Sequence, residues 1–183
     1  NENKVSIKII DLLKEGKIIS LISDAGTPTI SDPGMILVNK CIDENLNVYP
    51  IPGPSAVTSA LSVSGFHGRF IFYGFLAKKE KELENIFKNL SNLDYSIVFF
   101  VPGIKINSYI KQFKKFFFDR KILIAKEITK IHEKFIRSNI DTIKDLQGNL
   151  KGEFTVVLSP KITRKKNKNE ITESVKVEIK EMF

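Results

Sequence analysis

Apolar positions along the chain alternate between two rhythms. Val5, Ile9, Leu12 and Leu13 lie three to four residues apart and predict an amphipathic helix over 3–15, closed by Gly16. The apolar run over 18–23 predicts a buried strand. Met35, Val38, Cys41, Ile42 and Leu46 then predict a helix over 33–45, and a short strand over 47–49 follows. From Ser55 a helix of small residues is expected, with Ala56, Thr58, Ser59, Ala60, Ser62 and Ser64. Past Gly65 to Arg69 the pattern restarts. Strands are predicted over 70–75, 95–101, 121–126 and 153–158. Between them lie a helix on Leu83, Ile86, Phe87 and Leu90, a helix on Ile106, Tyr109, Ile110 and Phe113, and a helical turn near 141–146. The segment 170–183 alternates at Val175, Val177 and Ile179 and fits either strand or helix.

Strands alternating with helices predict an α/β fold. The break at 65–69 suggests two sheets: a first domain over 1–67, a second over 68–159, and a basic linker with a C-terminal extension over 160–183. Three polar stretches each lie just beyond a strand, where α/β proteins place ligands. They are Asp24–Gly34, Pro50–Ser55 and Glu127–Glu133. Each also has a plain structural reading. Asp32 and Pro33 suit a helix start, Ser55 suits a helix cap, and small residues after it suit tight packing.

Composition narrows the function. The formal charge of +8 favours an anionic partner such as nucleic acid, although a lysine-rich, Trp-free composition also reflects genome bias. Five basic residues without an acid between Lys161 and Lys168 read as a solvated linker or as a phosphate contact. The single cysteine, Cys41, excludes an internal disulfide, fits a reducing, cytoplasmic compartment and reads as a packed core thiol. No apolar run is long enough to span a bilayer. His67 and His132 are isolated, with no Cys or other His at metal-ligand spacing, so no metal is expected, and no phosphate-binding glycine motif or nucleophile elbow occurs.

The motifs SDAGTPTISDPG, IPGPSAVTSALSVSGF, FYGFLAKK, EITKIHE and KGEFTVVL resemble, in order and spacing, one family. It is the bacterial small-subunit ribosomal RNA ribose-2′-O-methyltransferases, within the tetrapyrrole methylase superfamily. The resemblance runs from about residue 5 to 160. It implies a two-domain tetrapyrrole-methylase-like fold with S-adenosylmethionine in the cleft between the domains, ribosomal RNA as partner, and a homodimer. It assigns the first cofactor loop to Ala25, Gly26 and Thr27, with Ile30 just beyond, and the Asp24 carboxylate before it suits hydrogen bonds from the cofactor's ribose or ammonium. It assigns the second to Ser55 and Ala56, a cleft-lining apolar position to Val101, and the facing segment to Glu127, Thr129 and Lys130. Asp32, Glu127, Lys130 and Glu133 are candidate proton acceptors, with helix capping or surface pairing the alternative for each.

The chain lacks a start methionine and the family's opening strand with its proline-glycine loop, so an N-terminally truncated chain is expected. Val101-Pro-Gly-Ile-Lys105 replaces the family's Ser-Pro-His-Arg stretch, and the C-terminal extension looks diverged after Pro160. Two other readings are a tetrapyrrole C-methyltransferase of the same fold, against which EITKIHE speaks, and a non-catalytic RNA-binding remnant.

Overall fold

The computed structural model describes residues 2–66 and 68–162. His67, most of the basic run after Lys161 and the segment 170–183 lie outside the described residues. Among the described residues no helix is long and apolar enough to cross a membrane.

One five-stranded sheet organises the molecule. In chain order its strands are β1 (Phe70–Phe75), β2 (Ser96–Pro102), β3 (Lys121–Lys126), β4 (Lys134–Asn139) and β5 (Glu153–Leu158). Their spatial order is β1-β2-β5-β3-β4. β1 pairs with β2 in parallel, and the remaining pairs are antiparallel. As β5 runs against both β2 and β3, the strands β1, β2 and β3 all point the same way. Their carboxyl ends meet the amino ends of β4 and β5 at one rim of the sheet.

Period-two alternation explains why the central strands are buried on both faces. Ile97, Phe99, Val101, Ile122, Ile124, Phe154, Val156 and Leu158 face one core with α4 (Glu80–Ser91) and α5 (Ile106–Phe116). Phe87 and Phe113 interlock there with Phe99 and Phe117 at ring separations of 5.3–6.2 Å. Val98, Leu123, Ala125 and Val157 face the opposite way, against Val57 and Ala60 of α3 (Ala56–Ser62). The small residues of α3 are what allow this close packing.

Arg120 is the largest fully buried polar side chain, at 0% exposure. Its guanidinium donates to the carbonyls of Tyr95 at 2.8 Å, Ser159 at 2.9 Å, Ser91 at 3.3 Å and Leu93. It ties the end of α4 and the entry to β2 to the end of β5. Burial pulls its pKa below the ordinary arginine range, opposed by Asp119 and Asp94.

The first sixty-odd residues differ from expectation. α1 (Glu2–Lys14) and α2 (Met35–Asp43) form and pack together, and Cys41 is buried as expected. The buried positions of α1 are Ser6 and Ile10, whereas Val5 and Leu12 are exposed. The strands expected at 18–23 and 47–49 are not strands. Both segments run without a ladder partner among the described residues, with Ile18, Ile22 and Tyr49 at 97%, 85% and 77% exposure. A strand exists only with a neighbour to take its N–H and C=O groups, and an apolar run signals a wish for burial, not a partner. A second sheet is therefore absent among the described residues. The edge strand β4 has no counterpart among the predicted strands, and the helical turn expected near 141–146 is a turn over 140–142, with the Ile143 N–H donating to the Asn139 carbonyl at 3.0 Å.

Candidate active site

The loop over 24–34 is wound tightly. Gly26, Thr29, Ser31 and Gly34 all adopt left-handed φ, at +75°, +70°, +62° and +123°. For Thr29, a β-branched residue, this is a costly conformation of the kind that clusters at functional sites. Gly34 is required by space as well, since a Cβ there would stand 2.6 Å from Leu21 Cδ2. Ser23 Oγ donates to the carbonyls of Ala25 and Gly26 at 3.3 and 3.2 Å, holding the first half of the loop. Over Gly26 the space is open, with no atom within 4 Å of a built Cβ.

This loop is tied to its neighbours at two points. Thr27 Oγ1 donates to the Pro54 carbonyl at 3.4 Å, joining it to the loop that opens α3. Ser31 Oγ lies against Gly74, 3.1 Å from where a Cβ would be, so the loop abuts the end of β1. Asp24, Ala25 and Ile30 are exposed beside these contacts. Ser55 stands at the N-cap position of α3 in extended backbone with no side-chain cap bond, and Ala56 follows it half-buried.

Asp32 does not cap α2. Gly34 holds the N-cap position at φ +123°, two residues beyond it, and the Gly34 N–H is met by Glu2 Oε1 at 2.9 Å. Val101 also needs correction as a cleft-lining side chain. It is 0% exposed and faces the core under α4 and α5, because alternation along β2 turns it away from the face that carries α3.

The segment after β3 is the second strained element. Glu127 and Thr129 stand at φ +52° and +66°. The Lys130 N–H donates to the Glu127 carbonyl at 2.9 Å and the Glu133 N–H to the Lys130 carbonyl at 3.0 Å. Thr129 N–H donates to Glu133 Oε2 at 2.7 Å, and Lys130 Nζ lies 3.4 Å from Glu127 Oε1. Gly152 stands at φ +89°, and a Cβ there would come within 3.0 Å of Glu127 Oε1, so the carboxylate packs directly on the Gly152 backbone. Ile128 joins Val57 of α3 in one apolar cluster, which sets this turn on the α3 side of the sheet rim. No hydrogen bond or ion pair among the described residues crosses from 24–34 to 127–130.

Beyond this turn lies an open cleft of about 650 Å³, lined by Lys126, Glu127, His132, Glu133, Lys134, Asn149, Lys151 and Gly152. Its lysines are scattered in sequence: the antiparallel register sets Lys126 opposite Lys134, and Lys151 reaches the cleft from the segment just before β5.

The sequence profile of the tetrapyrrole (corrin/porphyrin) methylases matches residues 1–144. The "Ribosomal RNA small subunit methyltransferase I" of Thermotoga maritima is 43% identical over 164 residues, covering 88% of this chain and 73% of that protein. The protein of the same name from Mesomycoplasma conjunctivae is 40% identical over 181 residues, covering 96% of this chain and 75% of the relative. Among solved structures, the methyltransferase CobJ superposes with a TM-score of 0.66 at 15% identity, over 87% of this chain and 72% of that one. A uroporphyrin-III C-methyltransferase of Thermus thermophilus, complexed with S-adenosyl homocysteine, gives 0.54 at 11%, over 86% and 72%. At those identities the structural likeness speaks for the fold alone.

Proposed function

The chain belongs to the tetrapyrrole (corrin/porphyrin) methylases and, within them, to the ribosomal RNA small subunit methyltransferase I family, and from that premise we propose what it does. It transfers a methyl group from S-adenosylmethionine to a cytidine ribose 2′-hydroxyl in small-subunit ribosomal RNA. The observation that carries this reading is the identity to the Thermotoga protein over most of the chain. The net charge of +8 suits an RNA substrate.

The residues fit the cofactor. Its adenosine and amino-acid portions need close backbone approach and a few polar groups, and the open space above Gly26 supplies the first. Asp24 offers a carboxylate to a ribose hydroxyl or the ammonium. Ala25, Thr27 and Ile30 would hold the adenosine. Ser55, its hydroxyl unused by the helix, and Ala56 present the second loop, and Thr129 closes the site from the strained turn. The cofactor when bound supplies an electrophilic methyl on a sulfonium, so the acceptor oxygen needs alignment more than a strong base. As the methyl–oxygen bond forms, the hydroxyl proton must leave. Glu127, fixed against Gly152, takes it directly or through water. Lys130 holds that carboxylate by its ion pair, and Asp32 is left as the acceptor on the opposite loop. A second copy of the chain and a cytoplasmic setting complete the proposal.

The test is incubation of the purified chain with methyl-labelled S-adenosylmethionine and unmodified 30S subunits. Label in the small-subunit RNA is expected, and its loss in Gly26→Arg. A chain that binds the cofactor yet labels no RNA contradicts the reading.

A further inference from the structure

The cleft beyond the strained turn carries positive charge that its own acids do not balance. Lys126 ends β3, Lys134 opens β4 directly opposite it, and Lys151 stands just before β5. The Lys126 ammonium donates to the Asn149 carbonyl and sits 5.7 Å from the Phe154 ring centre, so it is held in place. Lys134 and Lys151 are exposed. Two carboxylates also line the cleft, and both are engaged. Glu127 pairs with Lys130 at 3.4 Å, and Glu133 accepts the Thr129 N–H at 2.7 Å. Among the described residues, none of the three lysines has an ion-pair partner.

We propose that this cleft is a phosphate subsite for the RNA backbone beside the reacting ribose. Lys134 and Lys151 supply mobile charge and Lys126 a fixed donor. The proposal rests on the reading of the chain as a ribosomal RNA ribose methyltransferase and adds which side chains meet the backbone. Lysines act on phosphate as point charges and carry no base information, so this cleft positions the strand and leaves sequence selection elsewhere. The cleft's volume of about 650 Å³ lies within the usual range of ligand sites. Glu127 belongs both to its wall and to the strained turn, so a phosphate seated here brings the neighbouring ribose hydroxyl toward the candidate proton acceptor.

The experiment measures binding of 30S subunits and of oligocytidylate across a series of salt concentrations, with methylation kinetics alongside. It compares the wild-type chain with Lys134→Ala, Lys151→Ala, the double alanine variant and the double arginine variant. Each alanine should lower the slope of log affinity against log salt by about 0.7–0.9, and the pair by about twice that. The double alanine variant should raise KM for 30S subunits with kcat and cofactor affinity held, and the arginine pair should bind like wild type. An unchanged slope and KM in the double alanine variant overturns the subsite, even while wild type methylates 30S subunits. If wild type labels no RNA but oligocytidylate binding still follows the lysines, the subsite stands and the substrate reading fails. Oligocytidylate and 30S binding that are both indifferent to salt would refute the subsite as well.

Discussion

Removing the Glu133 carboxylate asks what holds the turn over 127–130. Left-handed backbone costs a residue with a Cβ about 1–2 kcal/mol, so Glu127 and Thr129 together store about 2–4 kcal/mol. Three hydrogen bonds offset this: two between backbone groups at 2.9 and 3.0 Å, and the Thr129 N–H to Glu133 Oε2 bond at 2.7 Å. The last has a charged acceptor, a class that contributes about 1.5–3 kcal/mol, and exposure of the turn puts it at the low end. Losing about 1.5 kcal/mol lowers the equilibrium constant of the strained turn roughly tenfold, and where the two remaining bonds only balance the strain its population falls from about nine-tenths to about half. A ligand that needs the turn then binds in proportion to the competent fraction. Calorimetry with S-adenosylmethionine should therefore show about twofold weaker binding in Glu133→Ala. Glu133→Gln, whose amide oxygen still accepts, should lose less. Hydrogen exchange at the Thr129 amide provides a readout that needs no cofactor, slow in wild type and fast in Glu133→Ala. Affinity equal to that of wild type, together with unchanged exchange at Thr129, would refute the reasoning.

Arg120→Met leaves four backbone carbonyls without their buried donor and should cost about 3–5 kcal/mol in urea denaturation, a loss that Arg120→Lys recovers only in part. Gly26→Arg forces a bulky side chain onto backbone at φ +75° and into the open space of the loop, and calorimetry should find cofactor binding abolished while circular dichroism stays that of the wild type. Ile22→Lys with Ile51→Lys removes apolar surface from two unpaired segments, and dye binding and self-association should both fall with the melting temperature nearly unchanged. The hydrogen bond from Lys115, and its charge, hold the Glu84 carboxyl below the usual glutamate pKa. The pair's contribution is therefore full above the unfolded glutamate value and is lost as pH falls through the lower folded one. In Lys115→Met the Glu84 titration followed by NMR should move up toward the ordinary range.

Legibility in the sequence followed burial. β2, β3 and β5 lie within a residue or two of their expected bounds, and α4 and α5 form on the expected apolar residues, because each has a strong apolar face and a neighbour to bury it, while the edge strand β1 is marked by its run of aromatic and apolar residues. The stretches 18–23 and 47–49 have the apolar residues without the neighbour, and periodicity cannot supply one. β4 is an edge strand whose residues are only half covered, so its alternation is faint. Val101 shows the same limit at the site. Alternation says that adjacent strand residues face opposite ways, but only the placement of α3, α4 and α5 decides which face holds the core. The strained turn was marked by its polar composition, whereas the bond from Thr129 to Glu133 and the packing on Gly152 became visible only with backbone angles. The lysine cleft had no local signal, since its members belong to different strands and meet through register.

The most direct test of the central claim is the chemical identity of the methylated product. Small-subunit RNA from 30S subunits treated with the chain and S-adenosylmethionine is digested to nucleosides and resolved by mass spectrometry. The expected result is 2′-O-methylcytidine, present with wild type and absent with Gly26→Arg. Methyl on a base, or methyl appearing on uroporphyrinogen and not on RNA, would contradict it.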